Sequence, residues 1–195
     1  MWFSKKKLKV RIIAFESKVQ KYKYLIRQFE NSSSKVSLWL YYFDTTRGEI
    51  QSLCQATQTA VHLTTPSELL REGINLLDAR NIDLGQLHGY EDLLLVETHP
   101  IFSIHKQIVS QAEQHKLSEF ICFTSLDAPI MQLFGGERLQ SILSRMGLKE
   151  AEPIEHSMIT KSLEKAQKKL EASLTQHQDI RSSPEEWVEK NPVQA

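Results

Sequence analysis

The chain alternates short apolar runs with longer segments of helical periodicity. Residues 7–15 mix basic side chains with β-branched Val10, Ile12 and Ile13, which predicts a strand. Over 18–30, Val19, Tyr22, Leu25, Ile26 and Phe29 recur at spacings of three and four, the pattern of an amphipathic helix. Turn-forming residues 31–34 stop it. Residues 36–43 are an almost unbroken apolar and aromatic run, as expected of a strand buried on both faces. A helix capped by Thr45 or Thr46 is predicted over 47–56, then a strand at 60–63, a helix opened by Thr65-Pro-Ser-Glu68, and a strand at 92–96. A helix at 100–115, a strand at 120–123 and a helix at 128–146 bent at Gly135 and Gly136 follow. The last long helix, 157–175, carries Ile159, Leu163, Ala166 and Leu170 along one face, a contact stripe for the chain's own body or for another chain. Strands alternating with helices imply an α/β class with a mostly parallel sheet covered on both faces. Polar residues 176–195, with Pro184 and Pro192, are expected to be loosely ordered apart from a short helix around Trp187.

Composition adds boundaries to this picture. The 195 residues suffice for one domain with a real core, and no run of 18 apolar residues predicts a membrane-spanning helix. Residues 1–7 lack the apolar stretch of a secretory signal. Cys54 and Cys122 form neither a disulfide framework nor a metal-ligand pattern, so a reducing, cytoplasmic setting is expected.

Net charge is zero but unevenly placed, because ten Lys/Arg and two Glu in residues 1–35 give +8 and leave −8 on the remainder. A basic segment of this kind either docks on its own acidic domain or meets an anionic partner. Trp2 and Phe3 beside Lys5, Lys6 and Lys7 join interfacial aromatics to cations, the composition that makes weak contact with an anionic membrane surface. No recognised RNA or DNA motif accompanies them, so a nucleic-acid partner is not expected.

The search for chemistry is largely negative. No glycine stands in the spacing of a P-loop or of a dinucleotide-binding turn, so the backbone amides that cradle phosphates in those motifs are missing. No metal site is expected, and no cofactor. Glu97-Thr-His99 ends an apolar strand, the place where α/β sheets present functional groups, and forms either a structural pair or a catalytic one.

Two segments carry a resemblance. Phe134-Gly-Gly-Glu-Arg138 continues to Gly147, and Pro153-Ile-Glu-His156 leads into a helix containing Ala166-Gln-Lys-Lys-Leu-Glu171. Together they resemble SecA, the preprotein translocase ATPase, at the end of its second nucleotide-binding domain and the start of its long scaffold helix. Gln178-Asp-Ile-Arg181 is similar to the family's F-D-I-R. Upstream, 13–22 resembles the strand and Y-x-T-x-x-x-K-[FY] helix entering that domain, and 36–42 takes the place of its next strand. Ala79-Arg-Asn-Ile-Asp-Leu84 looks like a worn G-R-G-T-D-I that keeps Arg80 and Asp83. Glu97, Thr98 and His99, with Ile104 and Gln107, follow the frame of E-R-H-E-S-R-R-I-D-N-Q.

The resemblance covers about 12–181 and implies a RecA-like, P-loop NTPase-type α/β fold. It divides the chain into a basic leader at 1–11, the ATPase-like domain at 12–150, a scaffold-helix extension at 151–181 and a flexible tail at 182–195. Nucleotide contacts, in degenerate form, would fall on Arg80, Asp83, Glu97, Gln107, Gln111 and Gln114. The family's arginine fingers correspond to Gln111 and Gln114, and a neutral amide cannot supply their charge. The resemblance therefore implies no catalytic residue and a pseudo-ATPase interaction domain linked to protein export, cytoplasmic or peripheral at the inner face of the membrane. Its partners would be Sec translocation components or a second copy of the chain. The alternative is an ATPase half that completes a nucleotide site in trans with another chain.

Overall fold

The computed structural model describes residues 8–192 except 91, 116, 118 and 146–151. Six strands form one sheet: β1 (Lys9–Phe15), β2 (Val36–Tyr41), β3 (Val61–Leu63), β4 (Gly73–Asp78), β5 (Asp92–Leu95) and β6 (Glu119–Ser125). Their order across the sheet is β1-β6-β5-β2-β4-β3, and every pairing is parallel. The fold is thus α/β, consistent with a RecA-like domain.

The helices are α1 (Lys18–Asn31), α2 (Asp44–Thr57), α3 (Phe102–Gln114), α4 (Pro129–Leu133), α5 (Gly136–Arg145), α6 (Ser157–Ser173) and α7 (Pro184–Lys190). Their distribution follows from strand order. The steps from β1 to β2 and from β2 to β3 run one way along the sheet, whereas those from β4 through β6 run back. Right-handed crossovers then put α1 and α2 on one face and α3 on the other. Alternating strand residues build a core on each face. Ile13, Phe15, Trp39, Tyr41 and Ile74 pack with Leu25 and Ile26 of α1 and Ile50 of α2. Ile12, Ala14, Leu38, Leu40 and Cys122 pack with Ile108 of α3 and with α4 to α7.

Two expectations from the sequence are corrected. No helix begins at Thr65; that segment is a turn closed by the Thr65 amide donating to Glu68 Oε2 at 2.7 Å, and it leads into strand β4. Asn75 disguises β4 in the sequence because a polar residue interrupts its apolar run. The side chain is fully buried and satisfied, donating to the Arg71 carbonyl at 2.8 Å and accepting from the Arg71 amide at 3.0 Å. Gly73 opens β4 at φ +116°, where a Cβ would lie 2.6 Å from the Ala60 carbonyl oxygen, so the site requires glycine.

The second correction concerns the stretch expected to be loosely ordered apart from a short helix around Trp187; the helix forms as expected, but the segment around it is packed on the body. Within it, α7 is capped by the Ser183 side chain and buries Trp187 completely. Asn191 locks the segment by accepting from the Gln178 amide at 2.7 Å and donating to the Trp187 carbonyl at 2.8 Å. The backbone also crosses back to the body: the Asp44 and Thr45 amides at the start of α2 donate to the Arg181 and Ser182 carbonyls at 2.8 and 2.9 Å.

The stripe Ile159, Leu163, Ala166 and Leu170 of α6 is buried in the chain's own core. Of the two packings expected for it, the intramolecular one is present, so this stripe is not an open docking surface. The segment before α6 covers the free edge of β1 through reciprocal bonds between Ala14 and Ile154 at 3.0 and 2.8 Å. Gly135, at φ +96°, makes the sharp break between α4 and α5 that the sequence placed there. Among the described residues no helix is long and apolar enough to cross a membrane.

Candidate functional site

The carboxyl ends of parallel strands are where an α/β sheet gathers polar groups, because loops and helix starts converge there. Glu97 lies two residues beyond β5 and is 6% exposed. Its Oε1 accepts from the Tyr42 and Phe43 amides at 2.7 and 2.9 Å, and its Oε2 accepts from Thr46 Oγ1 at 2.6 Å. Phe43, the residue before α2, offers no side-chain cap, so a carboxylate from a neighbouring strand serves the helix start instead. Burial raises the Glu97 pKa, against the lowering influence of Lys21 and the bonds from Thr46, Tyr42 and Phe43.

Beside Glu97 the structure holds a cavity of about 100 Å³, lined by Lys21 and Tyr22 of α1, Thr98, Thr124 and Ser125 at strand ends, and Pro184 and Val188 of α7. Burial lowers the Lys21 pKa to about 8, opposed by the Glu97 charge. Lys18 at the mouth pairs with Glu49 at 2.7 Å. Sequence reasoning singled out Glu97 but not Lys21, Thr98, Thr124 or Ser125. The available signal was positional, since Thr124 and Ser125 end an apolar strand just as Glu97 and Thr98 do.

The other residues expected to contact nucleotide fall into separate places. Arg80 follows β4 with its side chain 9% exposed, 3.9 Å from Asp78 and 3.8 Å from Asp179, and stacks over Phe43 at 5.6 Å. Its Nη2 also donates to the Ile180 carbonyl at 3.4 Å, so the C-terminal segment occupies this guanidinium. Asp83 accepts from the Gly85 amide at 2.9 Å and from Gln86 at 3.2 Å, stabilising its own turn. Gln111 reaches that turn from α3, donating to the Ile82 carbonyl at 2.9 Å and accepting from the Leu84 amide at 3.2 Å. Gln107 and Gln114 share its side of the helix by spacing and are exposed. Asp83 and Gln111 are therefore brought together, whereas Glu97 is held by a different set of partners. Trp2, Phe3, Lys5, Lys6 and Lys7 lie outside the described residues. Among the described residues no group of three His, Cys, Asp or Glu could hold a metal ion.

His99 closes the back of this region, stacked on Phe43 at 5.9 Å and edge-on to Trp187 at 5.6 Å. Its backbone carbonyl accepts from Gln167 of α6 at 2.7 Å. Burial, aided by the Arg80 charge, lowers its pKa to about 3, and burial lowers that of His105 to about 4. Both stay neutral in the fold, whereas an unfolded histidine titrates near 6.5. Below pH ~6.5 the unfolded chain takes up protons that the folded one refuses, so stability falls with pH. Glu97 opposes this, because its raised pKa lets the folded state bind a proton first. Two histidines outweigh one carboxyl, and the melting temperature is expected to drop between pH 7 and 4.5. His105→Leu should remove about 2–3 kcal/mol of that loss. Thermal melts of both proteins across the range check this, and parallel profiles would contradict it.

No protein-family model matches the chain. It is 43% identical over 98 residues to the protein translocase subunit SecA of Chlorobium luteolum, covering 47% of this chain and 10% of that protein. Against SecA of Chlorobium phaeobacteroides it is 42% identical over 90 residues, covering 46% and 8%. Against SecA of an Anaeromyxobacter species it is 41% identical over 91 residues, covering 46% and 9%. The matched region is thus about a tenth or less of each relative. Within those limits the chain carries a SecA-related domain.

Proposed function

We propose that this SecA-related domain serves protein translocation as a binding module that does not hydrolyse ATP. The relatives are translocase subunits, and a cytoplasmic module sharing part of their scaffold fits a role beside the same machinery, with Sec translocation components as its partners. The observation that carries the non-catalytic reading is the use made of Gln111. Its amide is engaged by the backbone of the Asp83 turn, where the resemblance expects a free arginine. Gln114 is exposed but uncharged. An arginine finger contributes about 10³–10⁵ in rate where it acts, and a neutral amide lacks the charge to replace it. The absence of any P-loop spacing in the sequence points the same way. Arg80, the remaining cation of the resembling motifs, is buried among Asp78, Asp179 and the Ile180 carbonyl, with no hydrogen-bond partner for its Nε among the described residues, and that burial weighs against a nucleotide half-site completed in trans. Titration calorimetry of the full chain with Mg-ATP is expected to show no saturable binding. A dissociation constant tighter than about 100 μM, or about −5.5 kcal/mol, would overturn the reading.

A further inference from the structure

The cavity beneath α7 gathers hydrogen-bond donors that the protein leaves unused. Lys21 is 4% exposed, yet among the described residues no hydrogen bond or ion pair reaches its ammonium, whose Nζ sits 4.7 Å from the Tyr22 ring centroid. Thr98, Thr124 and Ser125 are buried in the same wall, and their hydroxyls also lack protein partners among the described residues. The neighbouring charges are already served. Glu97 accepts three bonds, Lys18 pairs with Glu49, and the Asp127 carboxylate accepts from the Lys18 amide at 3.0 Å. What remains is one ammonium and three hydroxyls without hydrogen-bond partners among the described residues, in a space that the Glu97, Asp127 and Glu185 carboxylates also line. A buried cation without a direct acceptor is costly; the Glu97 charge offsets part of that cost from a distance, and an anion in contact with Lys21 would offset more of it. At about 100 Å³ the space admits roughly three waters or one small anion.

We propose that this cavity is a binding site for a small oxyanion the size of phosphate, paired with Lys21 and hydrogen-bonded by Thr98, Thr124 and Ser125. Pro184 and Val188 of α7 contribute one wall of the site. The site does not depend on the export role, and either can fail without the other. The charged groups around Lys21 are Lys18 of α1, Glu49 of α2, Glu97 after β5 and Asp127 after β6, with Glu185 of α7 lining the same space. Because Lys21 loses its proton near pH 8, binding weakens as pH rises through that value.

The test is titration of the full chain with inorganic phosphate, followed by calorimetry and by backbone amide signals, with acetate and ATP as parallel arms. Phosphate is expected to bind saturably with a dissociation constant of about 1 mM or tighter, shifting the Thr98, Thr124 and Ser125 amides. Affinity should fall about thirtyfold between pH 7 and 9.5. Lys21→Gln should abolish binding, and the volume-conserving pair Thr124→Val and Ser125→Ala should weaken it about threefold or more. That pair decides the matter if Lys21→Gln does not fold. Acetate binding with the same sensitivities keeps the site and assigns a carboxylate as its ligand. Failure to saturate by about 20 mM of either anion, or saturation that neither Lys21→Gln nor the hydroxyl pair alters, overturns the proposal. So does binding of ATP alone, which would assign the site a nucleotide and not a small oxyanion.

Discussion

Leu163→Asp is expected to move the urea midpoint of unfolding far below that of the wild type. Leu163 is fully buried on α6, packed with Ile159, Ala166 and Leu170 into the core that joins α3, α4 and the sheet. The change deletes a large apolar side chain and forces a carboxylate into a site without a donor. The two losses together exceed about 4–5 kcal/mol. A domain of this size has about 5–15 kcal/mol in all, so roughly a third or more of its margin is lost. Far-ultraviolet dichroism with urea titration measures the effect. A cooperative transition at the wild-type midpoint would show that α6 contributes little to the fold, contrary to its burial.

Trp187→Ala should cost about 3–5 kcal/mol, although the residue lies in a short helix beyond the main body of the fold. Its ring is fully buried against His99, with His177 at 6.2 Å, and Asn191 pins the turn that follows. Losing the ring removes the anchor of α7 and opens the wall of the Lys21 cavity. Chemical denaturation reads the stability, and protease cutting within 176–192 reads the release of the segment. A loss under about 1 kcal/mol with unchanged protease resistance would mean the segment is held by its backbone bonds alone.

The acid-labile histidines illustrate how far local sequence carries an argument. Glu97-Thr-His99 stood out in the sequence as a strand-end pair, and the structure makes it neither a dyad nor a ligand set. Glu97 is consumed by the amides at the start of α2, and His99 by a stack of aromatics. Which partner a strand-end side chain meets depends on the strand laid next to it. Here β2 separates β5 from β4, and that order is not a local property.

Periodicity and composition by themselves determined the α/β class, five of the six strands and the placement of α1, α3 and α6. These features depend on apolar spacing within a window shorter than a single element. The resemblance of 134–171 to SecA is legible in the sequence alone, because its motifs are dense and local. Only the tertiary structure decided the rest. It made β4 a strand despite Asn75, since the amide is satisfied by Arg71 only once the turn before it closes. It turned a polar, proline-bearing tail into a covering element, because Trp187 finds its cavity only where His99 and α6 meet. And it left Lys21 buried, without a hydrogen-bond or ion-pair partner among the described residues, beside three hydroxyls that stand scores of residues away in the chain. A sequence records which side chains are apolar; whether a charged one is exposed, paired or stranded is set by contacts that exist only after the sheet has formed.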